Sequence, residues 1–251
     1  MTPSPIRKVL STFRKHRVRA LLMGGQACIL YGAAEFSRDT DFAVLCDPQN
    51  LQRLRAALKE LRAEPVFVPP LSETYLLRGH ACHFRCRAPG VQRLRVDIMS
   101  VMRGCDPFPA LWQRRTRLRL TGLGVLPVLG LPDLVTAKKT QRDKDWPMIR
   151  RLLEADLFSK QQRPRANDVD FWLREMRSPE LLAGLAHRYS RRTAAMQKAR
   201  PLLEFALAGN VRKLQRELEK EERREREADR RYWRPLRQEL EILRHRSVSP
   251  L

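Results

Sequence analysis

Two hydrophobic periods alternate along the first two-thirds of the chain. Residues 5 to about 16 place Val9, Leu10 and Phe13 on one helical face. The apolar run RALLM, residues 19–23, is a short strand ended by Gly24-Gly25. Residues 26–31 read as a helix start, with Ala27, Ile29, Leu30 and Tyr31 available for packing. DFAVL, residues 41–45, is a second strand; Asp47-Pro48 opens a turn, with Asn50 as the expected helix cap. The following helix repeats Leu51, Leu54, Leu58 and Leu61 on one side. Residues 65–70 are a break or a short strand, and residues 80–87 and 94–101 flank the hairpin turn Ala88-Pro89-Gly90-Val91. In the second of these strands Leu94, Val96 and Ile98 share one face, which leaves Asp97 on the other with Arg93 and Arg95. Residues 117–129 read as one more hairpin, or as strand and loop. Pro132-Asp133 starts a helix through LVTAKKTQRDKDWPMIRRLLE.

The pattern changes at SKQQRPRAND, residues 159–168, a polar, Pro-containing candidate linker. Beyond it the periodicity is helical throughout. Ser178-Pro179-Glu180 begins one helix with Pro at its first position. Gly209-Asn210 separates two others, and a long charged helix runs from Val211 to about Arg246, with Pro235 expected to kink or end it midway. Its Glu/Arg-rich centre reads as a solvated or coiled face. The expected architecture is α+β: a domain over residues 1–158 with a mixed sheet flanked by helices, then a basic helical domain over 159–251.

Composition adds one strong constraint. With 43% hydrophobic residues in 251 the chain can bury a real core, but Lys+Arg 50 against Asp+Glu 28 gives a net charge of +22. Such a surface favours polyanions, nucleic acid first among them. No secretory signal is visible, and no segment reaches the roughly 20 apolar residues of a spanning helix. The 5 cysteines follow no framework spacing and read as reduced thiols of a cytoplasmic protein with no membrane partner.

Candidate chemistry centres on Asp39, Asp41 and Asp97. Asp-x-Asp in a strand puts both carboxylates on one face, and a third acidic residue on an apolar strand is uncommon without a partner or a metal. Crowded carboxylates repel one another, and a hard divalent cation such as Mg²⁺ relieves that repulsion. Gly24-Gly25 beside them lets backbone N–H groups approach phosphate oxygens. On a helix Lys138 and Arg142 would share a face, and with Lys139 could neutralise phosphates; the competing reading pairs Asp145 with Arg142 or Lys138. His80-Ala81-Cys82-His83-Phe84-Arg85-Cys86 holds zinc-type ligands at a spacing that matches no common zinc motif, so its cysteines are expected in the core. Trp146, Trp172 and Trp233, with Tyr189 and Tyr232, are expected to anchor helices.

GGQACILYGAAEFSRDTDFAVL resembles the signature of the polymerase-beta-like nucleotidyltransferase superfamily, most closely its minimal or AbiEii-type toxin branch. The likeness extends over roughly residues 15–155. It implies two Mg²⁺ ions on Asp39, Asp41 and Asp97, which are then both metal ligands and catalytic residues. Gly24, Gly25 and Ser37 would line the triphosphate pocket, and Lys138, Lys139 and Arg142 match a phosphate-facing segment of related transferases. The implied reaction moves a nucleoside monophosphate from an NTP such as ATP to a hydroxyl. Charge turns the expected acceptor toward RNA, including a tRNA 3′ end, and the toxin branch implies an antitoxin partner or a role in phage defence. The alternatives are a protein or antibiotic-like acceptor, and a nucleic-acid-binding module without turnover.

Overall fold

The computed structural model describes residues 5–33 and 39–248. They divide into two compact units, one formed by residues 5–30, 39–137 and 232–248, the other by residues 31–33 and 138–231. The elements of the first unit, in chain order, are α1 (Pro5–Lys15), β1 (Ala20–Met23), α2 (Gly24–Leu30), β2 (Asp39–Val44), α3 (Pro48–Glu60), β3 (Glu64–Pro65), α4 (Glu73–Arg78), β4 (Cys82–Arg85), β5 (Arg95–Met99), α5 (Phe108–Gln113), β6 (Thr116–Leu120), β7 (Gly124–Val128) and α6 (Leu131–Ala137). Among the described residues seven strands form one sheet, in the order β3-β4-β5-β2-β1-β7-β6. It is mixed: β1 pairs antiparallel with β2 and parallel with β7, and β2 pairs parallel with β5. The fold class is therefore the α+β arrangement expected.

The core follows from the apolar runs. β1 is buried at all four positions, as a central strand covered on both faces must be, which is why ALLM carries no polar residue. α1 presses Val9, Leu10 and Phe13 inward, and the Phe13 ring stacks on Phe42 of β2 at 4.5 Å. The stripe of Leu51, Leu54, Leu58 and Leu61 is buried as its period predicts. Its helix is capped by Asp47 rather than Asn50: the Asp47 carboxylate accepts from the Asn50 N–H at 2.7 Å. Asn50 instead lies inside the helix, where its amide donates to the Arg19 and Leu45 carbonyls and its oxygen accepts from the Arg19 N–H. Its two-sided bonding laces the outer ends of β1 and β2 together. The short helices α4 and α5 have too few turns to impose a visible period, and the sequence pattern missed them.

Cys82, Phe84 and Cys86 are core residues, and burial pushes both thiols up to about 11. His80 is buried in the same row, with Nε2 2.7 Å from Glu239.

The second unit is helical: α7 (Asp145–Lys160), α8 (Ala166–Glu175), α9 (Pro179–Arg188), α10 (Ser190–Met196), α11 (Leu203–Leu207) and the first part of α12 (Val211–Val248). The boundary expected at residue 158 thus falls inside α7. Trp146 and Trp172 are buried, and Trp172 donates its indole N–H to Asp156 at 2.9 Å. Arg200, only 4% exposed, donates to the Leu173 and Met176 carbonyls, so it satisfies acceptors that the end of α8 leaves open. Burial lowers its pKa, and Glu221, 2.8 Å away, is its counter-charge.

Pro235 does not end α12. The helix runs unbroken through Pro235, residues up to 231 lying in the second unit and residues from 232 in the first. Nor is its charged block simply a solvated face. Glu221 accepts from Arg177 and Arg200, and buried Asp229 accepts from the Gln141 N–H at 2.9 Å. Among the described residues no helix is long and apolar enough to cross a membrane.

Candidate active site

One face of the sheet concentrates the acidic residues. Asp39 and Asp41 lie two apart on β2 and therefore point the same way, while Thr40 between them is turned into the core. β5 runs alongside in parallel, in a register that sets Arg95 against Asp39 and Asp97 against Asp41. Across β5, His83 of β4 is paired with Asp97. The row His83, Asp97, Asp41 thus crosses three neighbouring strands, each about 4.8 Å from the next.

Gly24 borders this row. Met23, the last residue of β1, pairs with Asp41, and the chain then turns into α2 through Gly24 at φ +64°. A Cβ built on Gly24 would lie 2.5 Å from Asp41 Cγ and closer still to Oδ2. Only glycine permits both the positive φ and this approach. Gly25 continues into the first turn of α2, so the two glycines begin the helix rather than preceding it.

Asp97 is 8% exposed and compensated by two basic side chains. Arg95, two residues back on the same strand, donates from Nε to Oδ1 at 3.2 Å and from Nη2 to Oδ2 at 3.1 Å. His83 Nδ1 is 2.8 Å from Oδ1. Phe67, just beyond β3, packs its ring against His83 edge-on at 5.9 Å, and Arg95 Cζ lies 5.8 Å from the same ring.

A hard divalent cation suits the donor set in type: two carboxylates side by side in register, a third on the same face, and bare backbone at Gly24. The side chains as they stand do not close a cage, since among the described residues no three His, Cys, Asp or Glu groups converge on one point. Asp97 is turned to Arg95 and His83 instead. The residues fit such an ion by chemistry and register, and Arg95 is its competitor for Asp97.

The structure brings Gly24, Gly25, Asp39, Asp41 and Asp97 together in the first unit. Ser37 lies outside the described residues. Lys138, Lys139 and Arg142 lie in the second unit, and the helix expected to align them stops at Ala137. Lys138 and Arg142 both close on Asp145, at 3.1 and 2.7 Å, and Lys139 pairs with Glu175 at 2.7 Å. Burial raises the pKa of Asp145, but Lys138, Arg142 and the Thr140 hydroxyl outweigh it and hold the carboxyl below its ordinary value.

Phe67 had no part in the sequence reading, and His83 entered it only as one of the zinc-type ligands of residues 80–86, not as a partner of Asp97. That pairing was visible in principle, because His83 falls on the opposite face of β4 from Cys82 and Phe84, the face that a hairpin register shares with Asp97. Phe67 follows two-residue β3 and has no periodic context to mark it.

No protein family profile matches the chain, and no curated protein matches it. Among solved structures that match is a Thermotoga maritima protein whose own nucleotidyltransferase assignment is provisional. The two are 16% identical, with a TM-score of 0.37, over 64% of this chain and 91% of that one. A likeness this loose carries no argument about activity.

Proposed function

We propose that the chain is a Mg²⁺-dependent nucleotidyltransferase that moves a nucleoside monophosphate from an NTP to a hydroxyl of RNA. The observation that carries this reading is the junction of Gly24 with Asp41 and, in register beside it, Asp97. Bare backbone against paired carboxylates is what a metal-bound triphosphate needs. The charge of +22 supports a polyanionic acceptor, and tRNA is the form of it that the toxin-branch resemblance favours. In that branch an antitoxin partner would silence the enzyme.

Asp39, Asp41 and Asp97 would hold the metal ions. When bound, Mg²⁺ neutralises triphosphate charge and lowers the pKa of the acceptor hydroxyl. The hydroxyl oxygen forms a bond to the α-phosphorus, the bond from that phosphorus to the bridging oxygen breaks, and pyrophosphate leaves. Asp97 would also take the hydroxyl proton, once Arg95 releases it. Gly24 and Gly25 let the triphosphate approach the backbone. Lys138, Lys139 and Arg142 are left out of the scheme, because each already faces a carboxylate within its own unit.

The test is pyrophosphate release and label transfer from each of four NTPs, with and without total tRNA, for the natural chain and for Asp39→Ala plus Asp41→Ala. Transfer to RNA that disappears in the double variant supports the proposal; no release by either protein with any NTP sinks it. The pairing of Asp97 with Arg95 and His83 favours a second reading, a nucleic-acid-binding module without turnover. Salt-sensitive RNA binding that the double variant retains, with no pyrophosphate released, would establish it.

A further inference from the structure

We infer that Phe67 is a stacking platform for a nucleobase at the edge of the carboxylate face, a site that rests on the nucleotidyl-transfer reading above. Phe67 is 51% exposed and stands beside charged groups. Its neighbours are specific. His83 meets it edge-on, at an interplanar angle of 79°, and the same His83 touches Asp97 at 2.8 Å. Arg95 lies over the ring at 5.8 Å while its guanidinium holds both oxygens of Asp97. One chain of contacts therefore leads from an open aromatic surface to the carboxylates in two steps.

That combination selects its ligand chemically. A purely apolar partner would have to strip water from Arg95 and His83 without replacing their hydrogen bonds. A nucleobase brings a π-face for Phe67, and its attached phosphate competes with Asp97 for the Arg95 guanidinium. Base–aromatic stacking is tolerant of base identity, because every base has a π-face. His83 and the Val66 N–H, which donates to the His83 carbonyl at 2.9 Å, fix the ring's approach to the sheet, so the platform is held by the fold.

The experiment is equilibrium binding of ATP, GTP, inorganic triphosphate and a short single-stranded RNA to the natural chain and to Phe67→Ala, Phe67→Trp and Leu77→Ala. Leu77, 54% exposed on α4, controls for loss of any surface apolar group. Phe67→Ala should weaken a base-bearing ligand about tenfold, leave inorganic triphosphate unchanged, and be rescued by Phe67→Trp, with Leu77→Ala silent. Loss on ATP and GTP assigns the platform to the donor base; loss on RNA alone assigns it to the acceptor base. Unchanged binding of every ligand by Phe67→Ala, or an equal loss on inorganic triphosphate, overturns the inference and spares the functional reading. Failure of the natural chain to bind any of the four overturns both.

Discussion

Asp97 and Asp145 are both buried carboxylates met by two basic side chains, yet their surroundings differ. Asp145, 2% exposed, begins α7 and is saturated locally: Lys138, Arg142 and the Thr140 hydroxyl all close on it from within seven residues. Asp97 is held by Arg95 and His83, but its neighbour in register on the next strand is another carboxylate, Asp41, and beyond that is the bare Cα of Gly24. A buried acid with cationic partners is thus not in itself a mark of a site. What distinguishes Asp97 is a like charge placed beside it and a glycine that keeps the approach open. Like charges side by side cost stability, and folds retain them where a ligand repays the cost.

The strongest way to break this contrast is at Gly24. Gly24→Ala must relax both a φ of +64° and an overlap with the Asp41 side chain. It should lower unfolding stability by about 4 kcal/mol in urea titrations, with nucleotide binding lost as well. An alanine variant of natural stability would show that the approach to Asp41 is not fixed by the fold. Next comes Asp145→Asn, which leaves Lys138 and Arg142 without their counter-charge and should cost about 3 kcal/mol by the same measurement.

That loss should depend on pH in a defined direction. The pKa of Asp145 is depressed in the folded state, so its contribution is complete above the ordinary Asp value and disappears as pH falls through the folded value. The stability gap between the natural chain and Asp145→Asn should therefore stay level above about pH 5 and narrow below about pH 4. A gap that widened on acidification would contradict the pairing.

Asp97→Asn should behave in the opposite way. Removing one of two adjacent negative charges relieves repulsion from Asp41, and Arg95 and His83 remain partly solvated. Stability should change by less than about 1 kcal/mol while pyrophosphate release is abolished. The smallest effect belongs to Thr40, fully buried with a hydroxyl that has no hydrogen-bond partner. Thr40→Val should raise stability by up to about 1 kcal/mol and leave the neighbouring Asp39 and Asp41 in register; a melting temperature below that of the natural chain would point to a partner for that hydroxyl.

The carboxylate face was readable in the sequence because strand periodicity alone decides it: Asp39 with Asp41, and Asp97 with Arg95, follow from a repeat of two. The pairing of Asp41 with Asp97 was not, since the register of two parallel strands is set by tertiary packing rather than by a turn between them. Lys138 and Arg142 fail to share a helical face for a local reason. The Thr140 hydroxyl accepts from the Arg142 N–H at 3.1 Å, an alternative to helical bonding that the periodic pattern does not register. Pro235 misled for the opposite reason. Contacts on either side, among them buried Leu236 and Glu239 bonded to His80 and Arg78, hold the helix through a residue that local propensity would make a break.

The core cysteines carry a practical consequence. With pKa values raised to about 11, Cys82 and Cys86 are ionised in only about one molecule in ten thousand at neutral pH. Cys105, pushed up to about 12, is quieter still. Alkylating reagents attack thiolates, so these sulfurs should stay unmodified while the chain is folded and react when it unfolds. Mass-spectrometric counting of modified sulfurs against urea concentration would then report the opening of β4, through Cys82 and Cys86, separately from that of the segment after β5 that carries Cys105, with no reporter added to the protein.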